Sequence, residues 1–326
     1  MLWAVTCYFN PARYRRKLDN FRVFRGHLTA PLVCVELSFG DDFALGPGDA
    51  ETVIQLRGGS VLWQKERLLN IALAALPASC EAVAWVDCDV IFERSDWPDL
   101  ARRALRDRPL VQLFETRCNL ARTAGIDPVD LRKVESQALS LGYKLASGTA
   151  TPDDVRRSDA PLTLASTAGV AWAARRDLLA RHGLYDACIL GTADRVIASA
   201  AIGRFDYGRD VILMNDRQFT HYRAWGEPFS GAVQGKVGYI EGRAYHLWHG
   251  ALEDRRYHER HEGLRRHGFD PATDIAPDVS GCWRWSSDKP DMHAYVRAYF
   301  ESRDEDGAGL TTDVPHPRTQ NLPTGG

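Results

Sequence analysis

Two carboxylates separated by a single residue interrupt an otherwise apolar stretch, residues 84–92 (AWVDCDVIF). On a β-strand, residues i and i+2 lie on the same face, so Asp87 and Asp89 can point the same way while Cys88 packs on the other face. Two unpaired carboxylates buried in a core are costly, and a divalent cation or an exposed strand end would remove that cost. The spacing alone favours two solvated aspartates at a strand end, and a metal site is the alternative.

A second group of chemistry-bearing residues is a cluster of histidines. Five of the ten histidines lie between positions 246 and 267, and His246 and His249 stand in the segment YHLWHG. Residues i and i+3 of a straight strand face opposite sides, so these side chains converge only if the chain leaves the strand near Trp248 and turns at Gly250. Imidazole and carboxylate together suit Mn²⁺ or a similar divalent ion. Two structural histidines beside a helix start are the alternative.

A third group consists of one acid and several arginines. Asp194 stands at the start of a predicted helix (TADRVIASA), where a carboxylate also serves as an ordinary helix cap. A charged helix is predicted over residues 252–267, and its arginines Arg255, Arg256 and Arg260 could bind an anionic ligand near the N-terminus. A solvated basic face explains these arginines equally well. Two further histidines of this helix are interpreted as surface residues, His258 and His261.

The elements that carry these residues alternate between strand-like and helix-like segments. Strands are predicted at LWAVTCYF, PLVCVEL, TVIQL, AVAWVDCDVIF and PLVQLFE. Helices are predicted at VLWQKERLLNIALAAL, where apolar residues recur at helical spacing, and at WPDLARRALRD. This alternation predicts βαβ units with a parallel sheet, in which ligands bind beyond the carboxyl ends of the strands. Those ends hold Asn10, Asp87, Asp89 and Glu115.

Length and composition narrow the class of protein. The 326 residues suffice for one large α/β domain with or without an added lobe, and 44% hydrophobic residues are typical of a globular chain. A formal net charge of −2 gives no broad electrostatic footprint for nucleic acid. The seven cysteines form no C-x-x-C pair, which indicates a reducing compartment. The start is not signal-like and no apolar run nears the ~20 residues of a membrane span, so we expect a cytoplasmic protein without a transmembrane segment.

Taken in order, five segments resemble the GT-A fold glycosyltransferases, particularly the family 2 and family 7 (β-1,4-galactosyltransferase-like) enzymes. These segments are LWQKERLLNIAL, AWVDCDVIF, STAGVAWAARRDLLARHGLYD, GTADRVIA and HLWHG. The resemblance covers roughly residues 3–270 as an architecture. It implies a GT-A (Rossmann-like) α/β fold, in which a mostly parallel central sheet is flanked by helices.

The resemblance also implies roles for individual residues. Asp89, in the D-x-D motif, and His249 match direct metal ligands, and His246 stands where the galactosyltransferases have a methionine ligand. Asp194 matches the acidic residue that acts as general base. Three residues match positions near the donor nucleotide, namely Asn10, Arg67 and Asp87. The implied cofactor is Mn²⁺ or Mg²⁺, and the implied donor substrate is a UDP-sugar.

Together these residues predict a metal-dependent inverting glycosyltransferase of the hexosyltransferase type, which moves a sugar from a nucleotide sugar to a hydroxyl of a glycan or another acceptor. Arg255 and Arg256 would share the charge of the departing diphosphate. Two alternatives stay open: a sugar-phosphate nucleotidyltransferase on the same scaffold, and a non-catalytic protein that binds nucleotides or carbohydrates. The segment ILGTADRV departs from the galactosyltransferases, which have a Trp-rich acidic stretch there.

The predicted organisation is a GT-A domain over residues 1–270. Within it, residues 1–116 form the nucleotide-sugar-binding half, residues 117–160 an insertion or lid, and residues 161–270 the half that completes the metal and acceptor sites. A C-terminal extension over residues 271–302 and a loose polar tail over residues 303–326 are predicted to follow.

Overall fold

The computed structural model of the protein describes residues 1–154 and 167–307. Its central sheet is built from β1 (Leu2–Phe9), β2 (Leu32–Ser38), β3 (Thr52–Arg57), β4 (Ala82–Val86), β6 (Leu110–Gln112), β9 (Ala171–Arg175) and β10 (Val237–Tyr239). Within the described residues these seven strands lie in the order β3-β2-β1-β4-β9-β6-β10.

Neighbouring strands of this sheet are parallel except at β9, which runs antiparallel to both β4 and β6. Strands covered by helices on both faces are apolar throughout rather than alternating, and β1 (LWAVTCYF) is of this kind. The predicted fold class, α/β with a mostly parallel central sheet flanked by helices, is confirmed. It is the architecture that the GT-A resemblance implies.

The described helices are α1 (Arg15–His27), α2 (Lys65–Ala74), α3 (Trp97–Ala104), α4 (Leu141–Ala146), α5 (Arg176–His182), α6 (Ala193–Ala201), α7 (Phe205–Val211), α8 (Asp216–Val233), α9 (Glu259–Arg266), α10 (Pro271–Asp274) and α11 (Pro290–Glu301). Alternate residues of β1 enter two buried clusters, one on each face of the sheet. Phe21 of α1 and Trp97 of α3 belong to one cluster, and Leu68 of α2 and Phe229 of α8 to the other. These two clusters hold the carboxyl ends of the strands in place.

A second, smaller sheet stands beside those carboxyl ends. It consists of β5 (Val90–Phe92), β11 (Arg243–His246), β7 (Thr116–Leu120) and β8 (Val134–Leu139), in that spatial order. β7 and β8 come from the predicted insertion 117–160, whose residues 155–160 lie outside the described part of the chain. A two-stranded sheet of β12 (Ile275–Pro277) and β13 (Trp283–Trp285) follows in the predicted C-terminal extension.

The prediction of AVAWVDCDVIF as one strand is wrong. The segment forms two strands in different sheets, because β4 ends at Val86 and β5 begins at Val90. Asp87, Cys88 and Asp89 form the connection between the two strands. β5 does not belong to the central sheet and pairs antiparallel with β11. The two carboxylates therefore lie in a turn and are not held to one strand face.

The predicted helix over residues 252–267 is also interrupted. A short 3₁₀ turn covers Glu253–Arg255, Arg256 adopts a φ of +42°, and α9 begins only at Glu259. A left-handed residue cannot continue a right-handed helix, so the charged segment divides at this point.

Part of the predicted tail is described. Residues 303–307 follow α11 and include two buried side chains, Arg303 and Glu305. The remaining tail residues, 308–326, lie outside the described part of the chain. Among the described helices, none has the length and apolar character needed to cross a membrane.

We expect Gly142→Ala to destabilise the fold, because a Cβ at this position would lie 2.4 Å from the carbonyl oxygen of Gly238 in β10. The overpacking should cost about 1–3 kcal/mol. Urea unfolding measures the change, and Gly26→Ala in α1 is the matched control, because nothing lies within 4 Å of a Cβ at Gly26. The control should be neutral or gain up to about 1 kcal/mol of helix propensity. Equal stability of the two variants would contradict the close approach of α4 and β10.

Candidate functional site

The loop after β4 and the end of β11 bring Asp89, His246 and His249 together. β5 pairs with β11, and the backbone N–H of Leu247 donates to the carbonyl oxygen of Asp89 at 2.9 Å. β11 ends at His246, and the chain turns at Gly250, whose φ of +94° favours glycine. The chain therefore leaves the strand and turns as the sequence predicts, and the two imidazole rings converge with centroids 4.5 Å apart.

Three possible ligand atoms face one another at this point. His246 Nε2 lies 3.3 Å from Asp89 Oδ1, and His249 Nδ1 lies 3.4 Å from Asp89 Oδ2. One ligand atom from each residue can be chosen so that all lie within 4.8 Å of one another. Asp89 Oδ1 is buried with no hydrogen-bond partner among the described residues, and a cation would satisfy it. A carboxylate oxygen with two imidazole nitrogens fits a divalent metal ion.

Electrostatics keep this cluster in a form that can bind a metal. Burial by itself would raise the pKa of Asp89, but His246 and His249 lower that pKa well below its ordinary value. Burial, reinforced by the neighbouring Arg255, lowers the pKa of His249 well below its ordinary value. Asp89 is therefore ionised and His249 neutral near pH 7, and these are the protonation states in which both residues ligate metals.

Of the predicted anion-binding arginines, Arg255 lies at the cluster and Arg256 does not. Arg255 Nη2 contacts His249 Nε2, and Arg255 Nε is buried without a hydrogen-bond partner in the described part of the chain. Arg256 is exposed and does not line the cavity described below. Because the predicted helix divides between these residues, they do not share a helix face. The predicted nucleotide contact is therefore not supported for Arg256.

Asp87 and Asp194 share one cation, Lys65, the first residue of α2. Lys65 Nζ lies 2.5 Å from Asp87 Oδ1 and 3.1 Å from Asp194 Oδ2. Burial by itself would lower the pKa of Lys65, but the carboxylates of Asp194 and Asp87 hold that pKa well above its ordinary value. The carboxylate of Asp87 thus contacts Lys65, whereas the carboxylate of Asp89 faces the two histidines. The expectation that the two carboxylates of AWVDCDVIF point the same way is wrong, because they lie in a turn.

Asp194 lies in the first turn of α6, as the sequence predicts. Both of its carboxylate oxygens accept hydrogen bonds from Lys65 Nζ, at 3.3 and 3.1 Å. Thr192 precedes it with a φ of +74°, so the helix starts abruptly from a left-handed residue. This start aims the carboxylate into the same cavity as the Asp89–His246–His249 cluster.

Arg67 is turned away from that cavity. Its Nε donates to the carbonyl oxygen of Gly281 at 2.5 Å, and its Nη1 lies 3.4 Å from Asp186 Oδ2. Residues two positions apart on a helix do not share a face, so Lys65 reaches the cavity and Arg67 does not. The predicted nucleotide contact of Arg67 is not supported by its position. Lys65 was missed although it belongs to the same QKERLLN motif, because the motif alone does not fix where the helix begins.

Asn10 follows β1 and holds the loop that comes after it. Its Nδ2 donates to the carbonyl oxygen of Tyr14 at 2.7 Å, and its Oδ1 accepts from the N–H of Tyr14 at 2.9 Å. Asn10 lines a small pocket beside the end of β1, together with Phe9 and Trp63. Its amide therefore shapes this pocket through the backbone of the loop.

A cavity of about 550 Å³ joins these groups. It is lined by the Asp89–His246–His249 cluster and by Lys65 and the two carboxylates that Lys65 contacts. Further basic residues reach it from separate elements, namely Lys17, Arg117, Arg195, Arg255, Arg260 and Arg303. Among these, Arg255 and Arg260 were predicted as anion ligands. The other four were missed because no local motif links residues that only the tertiary fold brings together.

His261 is buried rather than exposed, which corrects the interpretation of it as a surface residue. Its Nε2 lies 3.1 Å from Thr192 Oγ1, and Arg260 Nη2 donates to the same hydroxyl at 2.6 Å. Burial lowers the pKa of His261 well below its ordinary value, so the ring is neutral. This face of α9 therefore packs against the residue that precedes α6 and fixes the position of Asp194.

Comparison with known proteins gives structural similarities at low identity. No protein-family model and no curated protein matches the sequence. The chain is similar to S. aureus TarS, with a TM-score of 0.38 and 13% identity over 81% of this chain and 38% of that chain. It is also similar to S. aureus TarS 1–349 in complex with UDP (TM-score 0.34, 14% identity, 70% of each chain). A third similarity is to 4-diphosphocytidyl-2C-methyl-D-erythritol synthase from Anaerococcus prevotii (TM-score 0.34, 11% identity, 74% of this chain and 87% of that chain). These similarities assign no reaction to the chain.

One buried acid beside the site has an unusual protonation state. Glu66 follows Lys65 in α2 and is almost fully buried. Burial raises the pKa of Glu66 to about 8, although Lys65 opposes the shift. Glu66 is therefore mostly a neutral carboxylic acid at pH 7.

We expect the stability of Glu66→Gln relative to that of the wild type to increase as the pH rises from about 5 to 8. An unfolded glutamate loses its proton near its ordinary pKa of 4.5, whereas buried Glu66 keeps its proton to about pH 8. The wild-type free energy of unfolding therefore falls across this interval, and the difference from the variant grows by at most about 1.4 kcal/mol per pH unit. Urea unfolding at several pH values measures it, with Glu135→Gln on the exposed part of β8 as control. A difference that does not vary with pH would show that Glu66 is ionised in the fold.

Proposed function

We propose that the protein is a metal-dependent inverting glycosyltransferase, which moves a sugar from a UDP-sugar to an acceptor hydroxyl. The observation that carries this proposal is the composition of one cavity. The Asp89–His246–His249 cluster, the carboxylate of Asp194 and several guanidinium groups line the same space of about 550 Å³. A metal-dependent inverting transfer from a nucleotide sugar uses a cation site, a base and donors for a diphosphate, and these groups can supply all three.

Asp89, His246 and His249 would hold the metal ion. Two imidazole nitrogens favour Mn²⁺ over Mg²⁺, because Mg²⁺ prefers oxygen ligands and keeps several waters. A bound divalent ion supplies Lewis-acid stabilisation of the negative charge on a departing diphosphate.

The cavity arginines would stabilise the same charge from the protein side. Arg255 stands at the metal-binding cluster with a buried Nε–H that has no partner in the described part of the chain. Arg260 lines the cavity beside it. Guanidinium donors already oriented toward the developing charge stabilise the transition state without reorganisation at the moment of reaction.

Asp194 would accept the proton of the acceptor hydroxyl as that oxygen attacks the anomeric carbon from the face opposite the diphosphate. The ammonium of Lys65, 3.1 Å away, holds this carboxylate in place. A single displacement of this kind inverts the anomeric configuration. It needs no covalent intermediate and therefore no second carboxylate beside the anomeric carbon.

The two alternatives predict different products. A sugar-phosphate nucleotidyltransferase would consume a nucleoside triphosphate and release pyrophosphate. A non-catalytic binding protein would bind UDP-sugar without releasing UDP. The protein is incubated with UDP-sugars and Mn²⁺, and separately with UTP and sugar phosphates. Release of UDP indicates a glycosyltransferase, release of pyrophosphate indicates a nucleotidyltransferase, and neither product indicates a binding protein.

We expect UDP to bind the wild type in the presence of Mn²⁺ and to bind far more weakly in the presence of a chelator. Asp89→Asn and His249→Ala should each weaken Mn²⁺-dependent UDP binding by at least about tenfold, because each removes a ligand of the ion. Isothermal titration calorimetry measures the affinities. Asp99→Asn, an exposed aspartate of α3, is the matched control and should bind like the wild type.

The result that would overturn the metal site is UDP binding of equal strength with and without the divalent ion. No UDP binding by the wild type in the presence of Mn²⁺ would remove UDP as the nucleotide.

We expect Asp194→Asn to keep Mn²⁺-dependent UDP binding and to lose sugar transfer by about 10²–10⁴-fold, the usual contribution of a general base. The asparagine keeps the size of the side chain but cannot accept the proton. Transfer is measured by UDP release with an acceptor present, and binding by calorimetry on the same preparation. Retained transfer would reassign the base to another group of the cavity.

A further inference from the structure

The last described residues of the chain lie against the candidate site. We refer to residues 302–307 as the C-terminal strap. The carboxylate of Asp306 accepts the backbone N–H groups of Arg15 and Arg16, at 3.1 and 2.7 Å, at the start of α1. The Tyr14 hydroxyl accepts from the N–H of Asp304 at 3.2 Å. These contacts fix the strap to the loop and helix that follow β1.

The strap also packs against the loop that carries His249. A Cβ added at Gly250 would lie 2.9 Å from the carbonyl oxygen of Arg303 and 3.0 Å from that of Asp304. Such a close approach requires glycine, and it places the backbone of Arg303 beside the residue that follows His249. The strap therefore joins the end of β1 to the metal-binding cluster.

Two strap side chains, Arg303 and Glu305, point into the cavity and are buried, with 7% and 4% of their surface exposed. Arg303 Nη2 and Glu305 Oε1 form an ion pair at 2.6 Å. The Arg303 guanidinium also lies 5.2 Å from the centroid of the Trp63 ring. The ion pair and the ring contact hold the guanidinium in one orientation.

The hydrogen bonding of this guanidinium is incomplete. Its Nη2 is engaged by Glu305, and its Nη1 donates to the Tyr299 hydroxyl at 3.3 Å. Its Nε is buried and has no hydrogen-bond partner in the described part of the chain. A buried donor without an acceptor costs free energy, and an acceptor brought by a ligand in the cavity would recover it.

The location of the pair indicates which part of a ligand it meets. Arg303 and Glu305 line both the large cavity and the small pocket beside Asn10. They therefore stand between the end of β1 and the Asp89–His246–His249 cluster. In the proposed function, the nucleotide spans this interval, with its phosphates directed to the metal.

We infer that Arg303 is a nucleotide-binding residue, whose guanidinium donates to a phosphate oxygen of a nucleoside diphosphate, and that Glu305 positions it. This inference rests on the proposed function for the identity of the ligand. It adds a ligand-binding role for the C-terminal strap.

The test compares Arg303→Gln with Arg297→Gln in the full chain. Arg297 is an exposed arginine of α11 and serves as the matched control. We expect Arg303→Gln to bind UDP about tenfold more weakly in the presence of Mn²⁺, as is typical for the loss of one charge-assisted hydrogen bond. The affinity of Arg303→Gln for uridine should stay within about twofold of the wild-type value, because uridine carries no phosphate. Competition experiments followed by NMR measure this affinity.

Arg303→Lys is a second variant that keeps the charge and removes the Nε–H. It should also lose UDP affinity while keeping uridine affinity. Wild-type UDP affinity in both variants, or equal losses for UDP and uridine, would overturn the inference and leave the strap a purely structural role. Absence of UDP binding in the wild type would overturn the proposed function and this inference together, so the two failures are distinguishable.

Discussion

The antiparallel pairing of β5 with β11 is the constraint on which the candidate site depends. It draws the chain out of the central sheet directly after β4 and sets Asp89 beside His246 through backbone hydrogen bonds. Two histidines and a carboxylate from distant parts of the sequence thereby face one another in a buried setting. Backbone pairing is rigid, so it fixes the relative positions of the backbone segments that carry these side chains.

Charge balance organises the neighbouring part of the cavity. Lys65 is the cation among three acidic side chains, those of Asp87, Asp194 and Glu66. Buried charges persist only when they are paired, and one ammonium does not neutralise three acids. Glu66, the most deeply buried of the acids, keeps its proton, while Lys65 holds the other two by direct contact. The outcome is a fixed, partly neutralised group next to the Asp89–His246–His249 cluster.

Much of the scaffold was predictable from local sequence. β1 and β2 are mostly apolar runs, which is typical of strands covered on both faces, and helices intervene at the expected places. The convergence of His246 and His249 was predictable because Gly250 permits the turn that their spacing requires. The division of AWVDCDVIF was not, since β5 is set by a partner strand far away in sequence.

The position of single basic residues was the least predictable feature. Lys65 and Arg67 lie in one motif, and which of them faces the cavity depends on the residue at which α2 begins. Arg303 lies in a polar segment whose composition is that of a loose tail. Its position is fixed by its own contacts with Trp63 and Gly250 and by the hydrogen bond of the next residue, Asp304, to Tyr14, which no local pattern encodes.

The order of these elements along the chain has a consequence for synthesis. The last strand of the central sheet ends at Tyr239 and the Asp89–His246–His249 cluster is complete at His249, well before the ribosome adds Arg303. Because chains begin to fold while they are being made, the sheet and the histidines can assemble on a nascent chain whose cavity still lacks one wall. The cavity wall would then be completed late, as Asp306 reaches the start of α1 and fixes the strap there.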